Sequence, residues 1–140
     1  MRVAKPSVFP LLLLLLVLCG CSAKVDYQAA KAASDNFHQQ MAAANYGAIY
    51  DSSSSEFRSS ASRETIVGFL QRINRKLGAC GEASQQGFNV NYNTSGKFVT
   101  LSYSRKCANA ALEEQFVWRV EGNKALLVRY NANSPVLLTD

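Results

Sequence analysis

The sequence predicts an α+β fold: N-terminal helices packed on one face of a four-stranded antiparallel sheet. Three observations predict it. Apolar residues recur every three or four positions through the first half of the chain. Beyond Gly78 the apolar period changes to two. Two turn signals, Asn93-Thr94-Ser95-Gly96 and Gly122-Asn123, then divide the second half into paired strands.

The elements follow in order. Residues 21–26 are expected as a short tether, and residues 27–140 as one α+β domain. Ala30, Ala33, Phe37, Met41 and Ala44 form one apolar helix face, with Lys31, Asp35, Gln39 and Gln40 pointing away from it. Asn45-Tyr46-Gly47 ends that helix, and Tyr46, Ile49 and Tyr50 suggest a short second helical turn. Asp51 and the four serines after it read as a polar break. The next helix has Ser62 as its cap, Glu64 in its first turn, an apolar stripe of Ile66, Phe69, Leu70, Ile73 and Leu77, and Gly78 as its stop. A loop at Thr94-Ser95 pairs Val90 with Val99 and Phe88 with Leu101, so both apolar sets share a face. A turn at Gly122-Asn123 pairs Trp118 with Leu127 and Val120 with Ala125. Continuing these registers places Tyr92, Tyr103, Trp118 and Arg129 on the inward face. They are the candidate pocket, with Arg129 to meet an anionic group and the rings to stack on its body.

Phe37, Tyr46, Ile49-Tyr50-Asp51, Phe57, Ser62, Phe69-Leu70 and Leu77-Gly78, followed by four strands, resemble the small exported bacterial domains of the nuclear-transport-factor-two-like, cystatin-like fold. The resemblance spans roughly residues 25–133 and is carried by core spacing. It implies a curved sheet wrapping a long helix and leaving a cone-shaped cavity. It implies no activity, because that fold serves enzymes and binding modules alike.

The first 21 residues carry a more specific signal. Arg2 and Lys5 precede an apolar run from Val8 to Leu18, too short for a membrane span of about 20 residues but suited to a signal peptide. Leu18-Cys19-Gly20-Cys21 resembles the bacterial lipobox, although Cys19 stands where Ala, Ser or Thr is usual. The resemblance implies cleavage after a leader of residues 1–20, acylation of Cys21 (palmitate among the chains) and attachment to a membrane on its periplasmic side. Small residues before the cysteine give the peptidase access to the backbone, and the Cys21 thiol is the nucleophile that takes diacylglycerol. More than one acyl chain passes the threshold for stable anchoring. Ser22, in place of the Asp that marks inner-membrane retention in enteric bacteria, points to the outer membrane over the inner.

Cleavage before Cys21 would remove 20 of the 140 residues and leave 120, one domain's worth. The formal charge of +5 would fall to +3, since Arg2 and Lys5 leave with the leader. No run of like charge and no basic stripe with aromatics suggests a nucleic-acid partner. Cys80 and Cys107 are then the remaining pair. In an oxidising envelope they read as a disulfide across the base of the first hairpin, with Gly81 and Gly87 absorbing a slip in register. That bridge would close a loop of about 27 residues and stabilise by on the order of 3 kcal/mol. No cofactor is expected, and the alternative of a metal site lacks CxxC spacing and has only His38 to offer as a histidine.

No catalytic set emerges from the residues. His38 follows Phe37 beside the apolar stripe and reads as a boundary residue; Glu113-Glu114 reads as a solvated edge; no carboxylate is expected on the concave face. The serines lack a nucleophile elbow. A lipid-tethered, non-catalytic binding or accessory module, acting on a ligand or an envelope protein partner, therefore leads. A small isomerase or hydrolase of the same fold is the alternative, and an inhibitor of an envelope hydrolase a third class that the basic mature charge disfavours.

Overall fold

The computed structural model describes residues 18–139, with side chains from residue 21. Residues 1–17, and with them most of the expected leader, lie outside the described residues. Four helices come first: α1 (Leu18–Ala42), α2 (Tyr46–Asp51), α3 (Ser55–Ser59) and α4 (Arg63–Leu77). Four strands follow as an antiparallel meander: β1 (Ser84–Asn93), β2 (Gly96–Lys106), β3 (Ala111–Glu121) and β4 (Lys124–Asn133). A 3-10 turn at Pro135–Leu137 closes the chain against α4. The predicted α+β class and its strand order are the observed ones. No helix among the described residues is long and apolar enough to cross a membrane.

Helix α1 lies across the sheet and touches all four strands. Ala30, Phe37 and Met41 bury the expected stripe, while the helix ends at Ala42 and leaves Ala44 exposed in the turn at a left-handed φ of 56°. The stretch expected as a tether, residues 21–26, is helical and continuous with this helix. Its last member, Asp26, is buried and accepts a hydrogen bond from Tyr92 Oη at 2.9 Å, with Lys97 Nζ at 3.6 Å. The polar break at Asp51 is also more ordered than expected. Ser54 caps the short helix α3 by accepting from the Phe57 amide, and Ser53 Oγ donates to Ile49 O at 2.6 Å.

Helix α4 is bounded as its sequence predicts. Ser62 Oγ accepts from the Thr65 amide, and Gly78, at a φ of 70°, takes the left-handed conformation that ends the helix without a Cβ penalty. Ile66, Leu70, Ile73 and Leu77 are its buried face; Phe69 lies on the flank of that face, 46% exposed.

Both hairpin registers match the expected pairs: Val90 with Val99, Phe88 with Leu101, Trp118 with Leu127 and Val120 with Ala125. Two bulges interrupt them. One at Gln86, beside Gly87, takes up part of the slip between the hairpin and the Cys80–Cys107 bridge. The other sits in β4, where Val128 is the extra residue: Trp118 pairs with Leu127, but Val117 pairs with Arg129. With a side-chain period of two, one extra residue exchanges the faces beyond it. Tyr130 therefore turns inward opposite Phe116, and Arg129 turns out to solvent. The core runs between α1, α4 and the concave sheet face, centred on Phe116, which meets the rings of Phe37, Tyr103, Trp118 and Tyr130 within 5.8 Å.

Candidate functional site

The inward face of β3 reads Leu112, Glu114, Phe116, Trp118, Val120. One carboxylate thus stands in a row of apolar side chains. Glu114 is 4% exposed, and burial of a charge at that depth requires partners. It has two. His38 Nε2, from α1 above, lies 2.8 Å from one carboxylate oxygen, and Tyr130 Oη, from β4, donates to the other at 2.7 Å. The His38 bond puts the ring proton on Nε2 and leaves Nδ1 as an acceptor when the ring is neutral. The imidazole is wedged edge-on between Tyr103 and Phe116, each ring centroid 5.5 Å away.

Three sequence expectations are corrected here. His38 is 9% exposed and fixed in the interior, not a boundary residue. Glu114 is not a solvated edge. The concave face does carry a carboxylate.

These groups line a cavity of about 370 Å³ between the C-terminal half of α1, the end of α4 and the sheet. Met41, Ile73, Leu77 and Leu112 form its apolar wall; His38, Asn74, Arg105, Glu114 and Tyr130 supply its polar groups. Cys80 of the disulfide stands at its rim. A volume near the lower end of the range for ligand sites, mostly apolar with a few convergent polar groups, fits a small organic molecule.

The four residues singled out from the sequence are not brought together. Tyr103 borders a second, more polar cavity beside the first. Trp118 donates its Nε1–H to Ser34 Oγ at 2.9 Å and lines a small crevice on the other side of α1. Tyr92 holds Asp26 near the start of the domain, and Arg129 faces outward because of the β4 bulge. Among the described residues no His, Cys, Asp and Glu side chains gather into a metal-ligand set.

Burial pushes the Tyr130 hydroxyl well above its ordinary value of 10, and the adjacent Glu114 carboxylate raises it further. Burial likewise raises Tyr103, with Ser34 opposing, although no hydrogen bond of ordinary length reaches the Tyr103 hydroxyl. The linkage has a definite sign. Tyr130 keeps its proton in the folded state at pH values where the unfolded chain has lost it, so its contribution is complete below pH 10 and is lost as pH rises above it. Urea unfolding as a function of pH is expected to show stability falling above pH 10, with a shallower slope in Tyr130→Phe. An unchanged slope would place the ionising group elsewhere.

No protein-family model matches the chain, and no curated protein sequence matches it significantly.

Proposed function

We propose that this protein is a lipid-anchored cell-envelope module that binds a small organic ligand in the cavity above Glu114. The observation that carries the ligand reading is the cavity of about 370 Å³ whose apolar wall faces the His38–Glu114–Tyr130 network. The test uses ligand-observed NMR with a small-fragment library on wild type and on Ala42→Trp, since Ala42, exposed at the end of α1, borders the cavity and a larger side chain there is expected to block it. Fragments that bind wild type and are lost in Ala42→Trp support the reading; a library that binds neither, or both alike, contradicts it.

The anchoring half rests on the lipobox resemblance of Leu18-Cys19-Gly20-Cys21 and on Cys21 being a free, exposed cysteine. Cleavage there would start the mature chain five residues before the buried Asp26, so the lipid would hold the domain close to the membrane with little slack. Cys21→Ser is expected to remain an uncleaved or soluble precursor. If that variant still entered the detergent phase at processed size, anchoring would not depend on acylation of this thiol. Ser22 supports the outer membrane as destination.

A catalytic reading is the second one, and a specific observation favours it. A carboxylate that holds one nitrogen of a histidine and leaves the other as an acceptor beside a cavity is a general-base arrangement. In that reading His38 takes a proton from substrate, Glu114 orients the ring, and Tyr130 steadies Glu114. Turnover abolished in His38→Gln, with ligand affinity retained, would select this reading over simple binding.

A further inference from the structure

A second cavity of about 360 Å³ adjoins the first and shares His38 and Arg105 with it. Its character is different. Lys31, Asp35, Glu82 and Gln85 border it, and Tyr103 forms its buried wall. Three features of its polar groups point to a ligand.

The first is Tyr103 itself. The side chain is only 2% exposed, yet its hydroxyl has no hydrogen-bond partner. The oxygen is sealed from solvent, so an acceptor that reached it by a small shift of the wall would satisfy a donor now left unpaired. The nearby Ser34 hydroxyl is already engaged, donating to Ala30 O at 3.0 Å and accepting from Trp118.

The second is Arg105. Its Nε and one terminal nitrogen both donate to the Gly81 carbonyl, at 3.0 and 2.8 Å. That grip orients the guanidinium without neutralising it. Arg105 forms no ion pair among the described residues, whereas Lys31, on the same cavity, is matched by Asp35 at 3.0 Å. Asp35 and Glu82, both exposed, are the carboxylates on this cavity, and Glu114 lines the inner cavity together with Arg105.

The third is the position of His38. Its ring stands between the Tyr103 ring and the Glu114 carboxylate, bonded to the latter. Both Glu114 oxygens are taken up by His38 and Tyr130, although Glu114 and Arg105 line the same inner cavity.

We propose that the two cavities form one bipartite site for an amphipathic monocarboxylate, its carboxylate held by Arg105 and the Tyr103 hydroxyl in the outer part and its apolar body lying past His38 against Met41, Ile73, Leu77 and Leu112. The proposal rests on the ligand-binding reading above and adds the chemical class. The guanidinium, in no ion pair among the described residues, supplies a charged donor, the hydroxyl supplies the second donor, and the adjoining apolar wall fixes which end points inward.

The test is calorimetric titration of the full domain with hexanoate, hexanol and hexylamine, which differ only in the head group. Hexanoate is expected to bind and the other two to bind at least about tenfold more weakly, the size of one charge-assisted hydrogen bond. Arg105→Gln is expected to erase the preference for hexanoate. Tyr103→Phe, which keeps the ring in the core, is expected to weaken hexanoate several-fold while leaving hexanol unchanged. Lys124→Gln, at the exposed β3–β4 turn, serves as the charge control and is expected to match wild type. Equal affinity for hexanoate and hexanol, or undiminished hexanoate binding in both Arg105→Gln and Tyr103→Phe, overturns the carboxylate assignment while leaving the cavity as a ligand site. No binding of any of the three overturns the carboxylate assignment; if the fragment library also finds nothing that Ala42→Trp removes, the cavity reading falls with it.

Discussion

Glu114→Ala is expected to cost about 3–5 kcal/mol in folding free energy, a large part of the stability of a domain this size. The reason is what it leaves behind. His38 and the Tyr130 hydroxyl both direct their donors at the two Glu114 oxygens, at 2.8 and 2.7 Å, from positions 9% and 7% exposed. Removing the acceptor strands two buried donors, and most of the loss is their desolvation, not the intrinsic worth of the bonds. Two controls separate these contributions. Glu114→Gln keeps an acceptor for one donor and should lose less. Replacing the three groups together (His38→Leu, Glu114→Met, Tyr130→Phe) removes the stranded donors and should leave a protein more stable than Glu114→Ala alone. Urea unfolding measures all three. If Glu114→Ala lay within about 0.5 kcal/mol of wild type, solvent in the cavity would be satisfying those donors and the network would not be a structural one.

The second large effect is expected at the Cys80–Cys107 disulfide, which links residues 27 apart, across an isolated bridge at the base of the β1–β2 hairpin. The Cys80→Ser, Cys107→Ser double variant should lose about 3 kcal/mol, because the unfolded chain regains the freedom of that loop. In a domain of this length the loss corresponds to a fall in melting temperature on the order of 10–20 °C. The segment that loosens matters for ligand binding too. Gly78, Ala79 and Cys80 line the inner cavity, and Gly81 carries the carbonyl that orients Arg105. Hexanoate affinity should therefore fall in the double variant at temperatures where it is still folded. Unchanged stability after removal of both cysteines would show that the backbone bonds around the bridge, such as Gly81 N to Lys106 O at 2.8 Å, suffice to hold the hairpin base.

Periodicity carried most of the fold. Ile66, Leu70, Ile73 and Leu77 at helical spacing, and the hairpin pairs set by Asn93–Gly96 and Gly122-Asn123, were legible because local turn chemistry and a two-residue period fix register without knowledge of the rest of the chain. The site was less legible. Glu114 shares the phase of Phe116 and Trp118 on β3, so its inward direction was available from alternation; composition suggested an exposed acidic pair instead. His38 lies four residues from Ser34, itself four from Ala30, and both Ala30 and Ser34 are fully buried. That second stripe runs beside the apolar one and is hidden by its polar members. Tyr130 could not be read at all without the Val128 bulge, which exchanges it with Arg129. A single inserted residue in a strand leaves no compositional mark, and it decided which of two neighbours entered the core.

His38 is the one histidine in the chain, so a histidine-selective NMR spectrum reports a single imidazole on the shared wall of both cavities. That spectrum, recorded while a bound carboxylate such as hexanoate is titrated to saturation, reaches the ligand site most directly. The ring resonances should move with the same midpoint as the calorimetric binding curve, and should stay still when the same ligand is added to Ala42→Trp. A ligand that binds and leaves the His38 ring unmoved would contradict the site, and would return His38, Glu114 and Tyr130 to the role of a hydrogen-bonded core.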